Sequence, residues 1–225
     1  MSLKGLFITG SNTGVGKTHT GVVLAKSLTS KGTKVIPRKP VESGCTLDND
    51  QMIPADATAL KLAASYDGLL SDVCPYRFLE CTSPRRAAHL AEQVLTTKQL
   101  ADVCRFGADD GFLLVEGAGG FYSPLSEDGL NADLAEELGL PVLLVAQDML
   151  GAINQVLLNA EAIKNRGLEL RAIILNQVKN YEMPEAVSNL EELSPLVDCP
   201  VYTQPHLEIV GECDMPDDLL DIFLK

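Results

Sequence analysis

Long apolar stretches are missing from this sequence. The longest, Leu140 to Ala146, has the length of a strand and falls far short of the roughly 18 residues that a membrane-spanning helix needs. Metal-binding cysteine patterns are missing too. Cys45, Cys74, Cys81, Cys104, Cys199 and Cys213 form no C-x-x-C pair and no Cys/His cluster of zinc spacing, so they read as free thiols of a reducing compartment. His19, His89 and His206 share no metal or triad spacing. The start, Met-Ser-Leu-Lys-Gly, has no basic stretch leading into an apolar core and cleavage site, which makes the cytoplasm the expected location. Positive charge is scarce: 18 Lys and Arg stand against 31 Asp and Glu, a formal charge of −13. Such a surface keeps a protein soluble and repels a phosphate backbone or an anionic membrane. Nucleic acid and membrane are therefore not expected partners, and an anionic ligand must be held by a few local donors.

What is present is an ordinary globular composition, 46% hydrophobic and 22% charged over 225 residues, enough for one sizeable core and a single domain over residues 1–225. No repeat, low-complexity tract or linker divides it. Short apolar runs at Leu6–Thr9, Lys34–Arg38, Phe112–Val115, Pro141–Ala146 and Ala172–Leu175 read as buried parallel strands. Helical patterns cover Lys17–Lys31, Ala55–Ala64, Arg85–Val94, Thr97–Phe106, Asn131–Leu138, Gly151–Arg166 and Pro184–Leu193. The alternation predicts an α/β fold with a doubly wound, mostly parallel sheet. Pro40–Ile53 reads as a long loop after the second strand, and Tyr202–Met215 as a weakly patterned tail before a last helix, Pro216–Leu224.

Gly-Ser-Asn-Thr-Gly-Val-Gly-Lys-Thr, Gly10 to Thr18, follows one strand and opens an amphipathic helix. This is the setting of a Walker A loop of the P-loop NTPase type. Backbone N–H groups and the helix start supply partial positive charge, Lys17 reaches the β and γ phosphates of a nucleoside triphosphate, and the Thr18 hydroxyl can ligate Mg²⁺. The loop is one residue longer than the usual spacing, since Ser11 occupies the place of the first glycine.

Glu116 closes the apolar strand Phe112–Val115 and precedes Gly117-Ala118-Gly119-Gly120, the position of a Walker B acid and a second metal contact. Lys39 follows the second strand; taken alone it fits a solvated strand-end lysine and a second phosphate-facing cation equally. Asp56 in Pro54-Ala55-Asp56-Ala57 fits a first-turn helix acid, and spacing leaves any further role undecided. Ser43 and Thr82-Ser83-Pro84 have the hydroxyls of ordinary turns or caps. Gly151-Ala152-Ile153-Asn154 opens a long helix and is another candidate anion site.

Taken together, GSNTGVGKT, RKPVESG, the Asp of PADA, TSP, LLVEGAGGFYSPL, GAIN and LNQV stand in the order and approximate spacing of the dethiobiotin synthetase family, which the chain resembles from Gly10 to about Val178. The resemblance implies a homodimeric ligase of biotin synthesis that turns 7,8-diaminononanoate, CO₂ and MgATP into dethiobiotin, ADP and phosphate. A carbamate and a carbamic-phosphoric anhydride would be the intermediates. By the same resemblance, Thr13, Lys17 and Lys39 contact phosphate or carbamate oxygens, and Ser43 holds the carbamate region. Thr18, Asp56 and Glu116 bind Mg²⁺. The nucleotide would meet Asn12, Thr13, Gly14, Val15, Gly16, Lys17, Thr18, Glu116, Gly117 and Gly119, with Asn176 reading the adenine. Gly151, Ala152, Ile153 and Asn154 would take the substrate carboxylate from the neighbouring subunit. Two segments depart from the family pattern: Arg85-Arg86 after Ser83-Pro84, and Tyr202-Thr203-Gln204-Pro205 in place of a late Gly-x-x-Pro. The alternative readings are a deviant-Walker partitioning or division-site ATPase and a ligase like the cobyrinic acid diamide synthases. The first carries a lysine where this loop has Asn12, and the second adds a glutaminase domain for which the chain has no room.

Overall fold

The computed structural model describes residues 4–178, 188–206 and 214–224. Its elements run β1 (Gly5–Gly10), α1 (Lys17–Ser30), β2 (Val35–Arg38), β3 (Val41–Ser43), β4 (Thr46–Asp48), β5 (Gln51–Ile53), α2 (Ala55–Ala63), α3 (Leu70–Val73), β6 (Tyr76–Phe78) and α4 (Pro84–Leu90). There follow α5 (Thr97–Arg105), β7 (Phe112–Gly120), α6 (Asn131–Leu138), β8 (Val142–Gln147), α7 (Ala152–Asn165), β9 (Leu170–Asn176), α8 (Asn189–Leu193), β10 (Val201–Gln204) and α9 (Asp217–Leu224).

Six strands form one parallel sheet in the order β10-β9-β8-β1-β7-β2. The near-continuous apolar strands are explained by burial on both faces. Successive side chains point to opposite sides, so Phe7, Leu113 and Leu144 join one core cluster while Leu6, Ile8, Leu114 and Leu143 join the other. The second cluster includes Leu24 and Leu28 of α1 and Leu219 of α9. Truncating one such fully buried side chain to Ala costs about 2–5 kcal/mol. β1 lies centrally between β7 and β8, where the winding changes direction, and ligands of open α/β sheets collect beyond the carboxyl ends at that point.

β7 runs past the expected Val115 to Gly120, α3 and β6 were not expected, and the sequence expectations differ from the fold elsewhere too. Pro40–Ile53 is not a plain loop: β3 pairs in parallel with β6, and β4 and β5 form an antiparallel hairpin. These strands have three residues each, too few to print a periodic signal. The expected tail does not begin at Tyr202: Tyr202–Gln204 belong to the edge strand β10, paired with β9 through Gln204↔Asn176. The helix expected over Arg85–Val94 ends at Leu90 because Glu92 adopts φ 55, outside helical geometry. Of the helix expected over Pro184–Leu193, α8 covers Asn189–Leu193 and residues 184–187 lie outside the described residues. No helix among the described residues is long and apolar enough to cross a membrane.

Candidate active site

The glycine-rich loop joins β1 to α1, whose N-cap, Gly16, has φ 98 and ψ 25 and makes no side-chain cap. Its first-turn N–H groups therefore have no side chain competing for them. A Cβ on Gly16 would lie 2.1 Å from Asn176 Nδ2, so the position needs glycine for space as well as for its positive φ. That Nδ2 donates to the Val15 carbonyl at 3.0 Å and ties the loop to the end of β9. The Asn12 side chain accepts from the Thr13 N–H at 2.8 Å, while the Val15 side chain is buried in the core.

The register that pairs Arg38 with Val115 puts Lys39, just past the end of β2, beside Glu116, midway along β7. Lys39 Nζ lies 2.5 Å from Glu116 Oε1 and 3.1 Å from Asp56 Oδ2, and donates to the Gly117 carbonyl at 3.2 Å. The Thr18 hydroxyl donates to the same Glu116 oxygen at 2.9 Å. Lys39 and Glu116 are 3% and 1% exposed, so this pair is withdrawn from water, whereas the Asp56 side chain is 40% exposed and opens toward the cavity. The preceding residue, Arg38, is also buried but takes a structural role: its guanidinium donates to the Pro37 and Phe106 carbonyls and stacks over Tyr66.

Burial works against the Lys39 charge, but the Glu116 and Asp56 carboxylates outweigh it and hold the ammonium above the ordinary lysine range. Lys17 moves the other way, down to about 8, because burial and the neighbouring Lys39 charge exceed the attraction of Glu116 and Asp56. Burial would raise Asp56, yet the Lys39 charge and hydrogen bonds from Lys39 and Thr18 hold it below the usual aspartate value. The result is a cavity of about 310 Å³ that brings together Thr13, Gly14, Gly16, Lys17, Thr18, Lys39, Ser43, Asp56, Glu116 and Gly119. Ser43 donates its hydroxyl to the Thr82 carbonyl at 2.6 Å, and Ser83 caps α4 by accepting from Arg86 N. Such a space offers two ammonium groups, backbone donors and three carboxylates, those of Glu42, Asp56 and Glu116, to a polyanion and its metal.

A family model described as an AAA domain matches residues 4–219. An ATP-dependent dethiobiotin synthetase BioD from Ruthia magnifica is 39% identical over 207 residues, covering 91% of this chain and 93% of its own. Another of that name from Halalkalibacterium halodurans is 37% identical, covering 88% and 83%. The chain belongs to the dethiobiotin synthetase family. Among solved structures, a putative plasmid partition protein from Borrelia burgdorferi bound to AMPPNP superposes with a TM-score of 0.55, over 99% of this chain and 95% of its own, but is 13% identical. The signal recognition particle receptor FtsY from Elizabethkingia anophelis in complex with GDP gives 0.54 at 16% identity, covering 100% and 65%. Identities this low speak for the P-loop fold alone, and the sequence relatives favour the synthetase family over the partition ATPases.

Not every family motif converges on the cavity. Gly151, Ala152, Ile153 and Asn154 sit at the start of α7, after β8, and none of them lines it. Asn12, Val15, Gly117 and Asn176 do not line it either. Two residues that sequence reasoning missed, Glu42 and Asn131, support the site, and Gln204 of the departing 202–205 segment lies near it. Glu42, 6% exposed and lining the cavity, accepts from the Asp56 and Ala57 N–H groups at 3.0 Å each, which caps α2 in place of a local side chain. Asn131, fully buried, bonds the backbone at Ala118, Gly120 and Ser123 and so fixes the strand end after Glu116. Gln204 stands beside Asn176 in the sheet. The signal for Glu42 was its place between Lys39 and Ser43, and that for Gln204 its place in the departing 202–205 segment; Asn131 had none without the tertiary contacts.

Proposed function

We propose that this chain uses ATP to carboxylate 7,8-diaminononanoate with CO₂ and to close the product to dethiobiotin, releasing ADP and phosphate. The observation that carries this reading is the buried Lys39 ammonium between Glu116 and Asp56 in the cavity at the phosphate loop, in a chain whose sequence relatives bear that enzyme's name. One amine nitrogen attacks the carbon of CO₂ and loses a proton, giving a carbamate. A carbamate oxygen attacks the γ-phosphorus and ADP departs, leaving a carbamic-phosphoric anhydride. The second amine attacks the anhydride's carbonyl carbon and loses a proton, the bond to the phosphate oxygen breaks, phosphate leaves and the cyclic urea forms.

No bond to the protein is required, so its task is positioning and charge neutralisation. Lys17 and the N–H groups of Asn12 to Thr18 hold the triphosphate. Lys39 faces the γ-phosphoryl and carbamate oxygens, with Thr13 and Ser43 as neighbouring hydroxyls and Gly117 and Gly119 leaving room for the nucleotide. Mg²⁺ suits the donor set of Thr18, Asp56 and Glu116, all hard oxygen ligands, and Glu116 Oε2 is buried without a hydrogen-bond partner. Bound there, the ion would offset the charge on the β and γ phosphates. Asn176 reads the adenine. Gly151, Ala152, Ile153 and Asn154 take the substrate carboxylate across a homodimer interface, in a cytoplasmic enzyme of one domain.

Phosphate release from MgATP should depend on diaminononanoate with bicarbonate, with dethiobiotin detected by mass. Turnover indifferent to the diamine but stimulated by DNA or a protein partner would replace this reading with the partition-type switch.

A further inference from the structure

Pro54 stands at the N-cap of α2, where it has no side-chain oxygen to offer, and no local side chain bonds the helix start. Glu42 of β3 supplies the oxygens from a distance: Oε1 accepts from the Asp56 N–H and Oε2 from the Ala57 N–H, both at 3.0 Å. Charge-assisted bonds of this kind are strongest away from water, and Glu42 is 6% exposed. The strand that carries it is itself held, since Glu42 pairs with Arg77 of β6 and the neighbouring Ser43 donates to the Thr82 carbonyl. Asp56 is held less tightly. It lies in the first turn of α2 with a side chain 40% exposed, and an aspartate there is a ready partner for the free N–H groups of its own helix. Its Oδ2 lies instead 3.1 Å from Lys39 Nζ, on the cavity side.

We infer that Glu42 is a positioning residue for Asp56: by taking up the N–H groups at the start of α2 it frees the Asp56 carboxylate for the cavity, and so sets the metal affinity of the site through Asp56. The inference rests on the proposal that Thr18, Asp56 and Glu116 hold Mg²⁺ and adds to it the residue that prepares the least anchored of the three. Two effects combine. Glu42 fixes the backbone at the Asp56 nitrogen itself, and from a fixed backbone the short aspartate side chain reaches only a small space. It also removes the competitor, because a helix start already satisfied by one carboxylate has little to offer another. Glu116 needs no such help: it is built into β7 and is 1% exposed. Thr18 is likewise fixed in the first turn of α1 and donates to Glu116 Oε1.

The test is Mn²⁺ binding to the ADP-saturated chain, followed by electron paramagnetic resonance, beside ADP binding with a chelator present. Glu42→Ala should weaken Mn²⁺ by about 10–100-fold, the range for outer partners of metal ligands, and leave metal-free ADP affinity unchanged. Glu42→Gln, which keeps one acceptor for the two N–H groups, should lose less, and it takes the place of Glu42→Ala in every comparison if the alanine variant does not fold. In an Asp56→Asn chain, already weakened for Mn²⁺, Glu42→Ala should cost nothing further, because a residue that acts through Asp56 has nothing left to act on. A second loss of similar size in that background would make Glu42 a charge acting on the ion directly and overturn the inference. So would wild-type Mn²⁺ affinity in the folded Glu42 variants, or equal losses of Mn²⁺ and metal-free ADP, the mark of a merely structural role. A wild-type chain that adds nothing to the Mn²⁺ affinity of ADP alone, or an Asp56→Asn chain that binds as the wild type does, would take down the metal assignment itself, and this inference with it, before Glu42 is touched.

Discussion

Two helices of this molecule begin alike and end up in different surroundings. α1 and α7 each have 14 residues, each follows a parallel strand, and each opens from a glycine of positive φ, 98 at Gly16 and 90 at Gly151, with no side-chain cap. Around α1 stand Lys17, Lys39, Glu116 and the Asn176 amide, all buried. Around the start of α7 the space beside Gly151 is open, and Leu150 and Leu158 are 59% and 60% exposed. A helix start supplies only partial charge. What turns one into a phosphate site is the set of full charges that distant strands bring to it.

The strongest way to break this comparison is to remove the charge. Lys39→Ala should lower ring closure by about 10³-fold, the scale seen when one donor at a developing charge is lost, while circular dichroism shows an intact fold. Near-normal turnover in the folded variant would take Lys39 out of the mechanism and leave α1 no better equipped than α7. A smaller effect separates contact from strain. Gly16→Ala and Gly151→Ala both force alanine into a left-handed backbone at a cost of about 1–2 kcal/mol. Gly16→Ala must in addition displace the Asn176 amide, so denaturant unfolding should show it as the more destabilised of the two, with nucleotide affinity lost only there. Equal losses would mean that Asn176 gives way freely and the loop is not held by it.

The phosphate loop was legible because strand, glycines, lysine and helix are contiguous, and the apolar runs of the central strands announced a sheet covered on both faces. Lys39 and Asp56 were ambiguous from spacing, and family resemblance, not chemistry, supplied their roles. Their meeting at Glu116 depends on β2 pairing with β7 across a stretch of more than seventy residues, a register that no local pattern carries. Glu42 had only its place between Lys39 and Ser43 as a signal, because its role as a cap depends on a helix fourteen residues ahead. β10 went unseen because only four residues form it, and one is the polar Gln204 whose burial follows from its place beside Asn176. Local signals show where chain direction changes; the charges that make a site useful are assembled by long-range register.

The mildest difference between the two helix starts is in their response to pH. Burial and the Lys39 charge bring Lys17 down to about 8, and the first turn of α7 contains no titrating group. Bound phosphate favours the ammonium form and raises its pKa, so binding at α1 takes up a proton once the pH reaches that range. With metal removed by chelator, ADP affinity should be level below about pH 7 and fall above about 8, by at most about tenfold per unit. Lys17→Met should bind weakly but without the slope. Stability must move in the opposite direction. The folded value of this lysine lies below the ordinary one near 10.4, so between about 8 and 10.4 the unfolded chain binds more protons, and Lys17 makes the apo fold more stable as pH rises. Urea midpoints that rise or hold while affinity falls assign the loss to the Lys17 charge, whereas midpoints that fall together with affinity in both the wild type and Lys17→Met would assign it to unfolding and remove this distinction between α1 and α7.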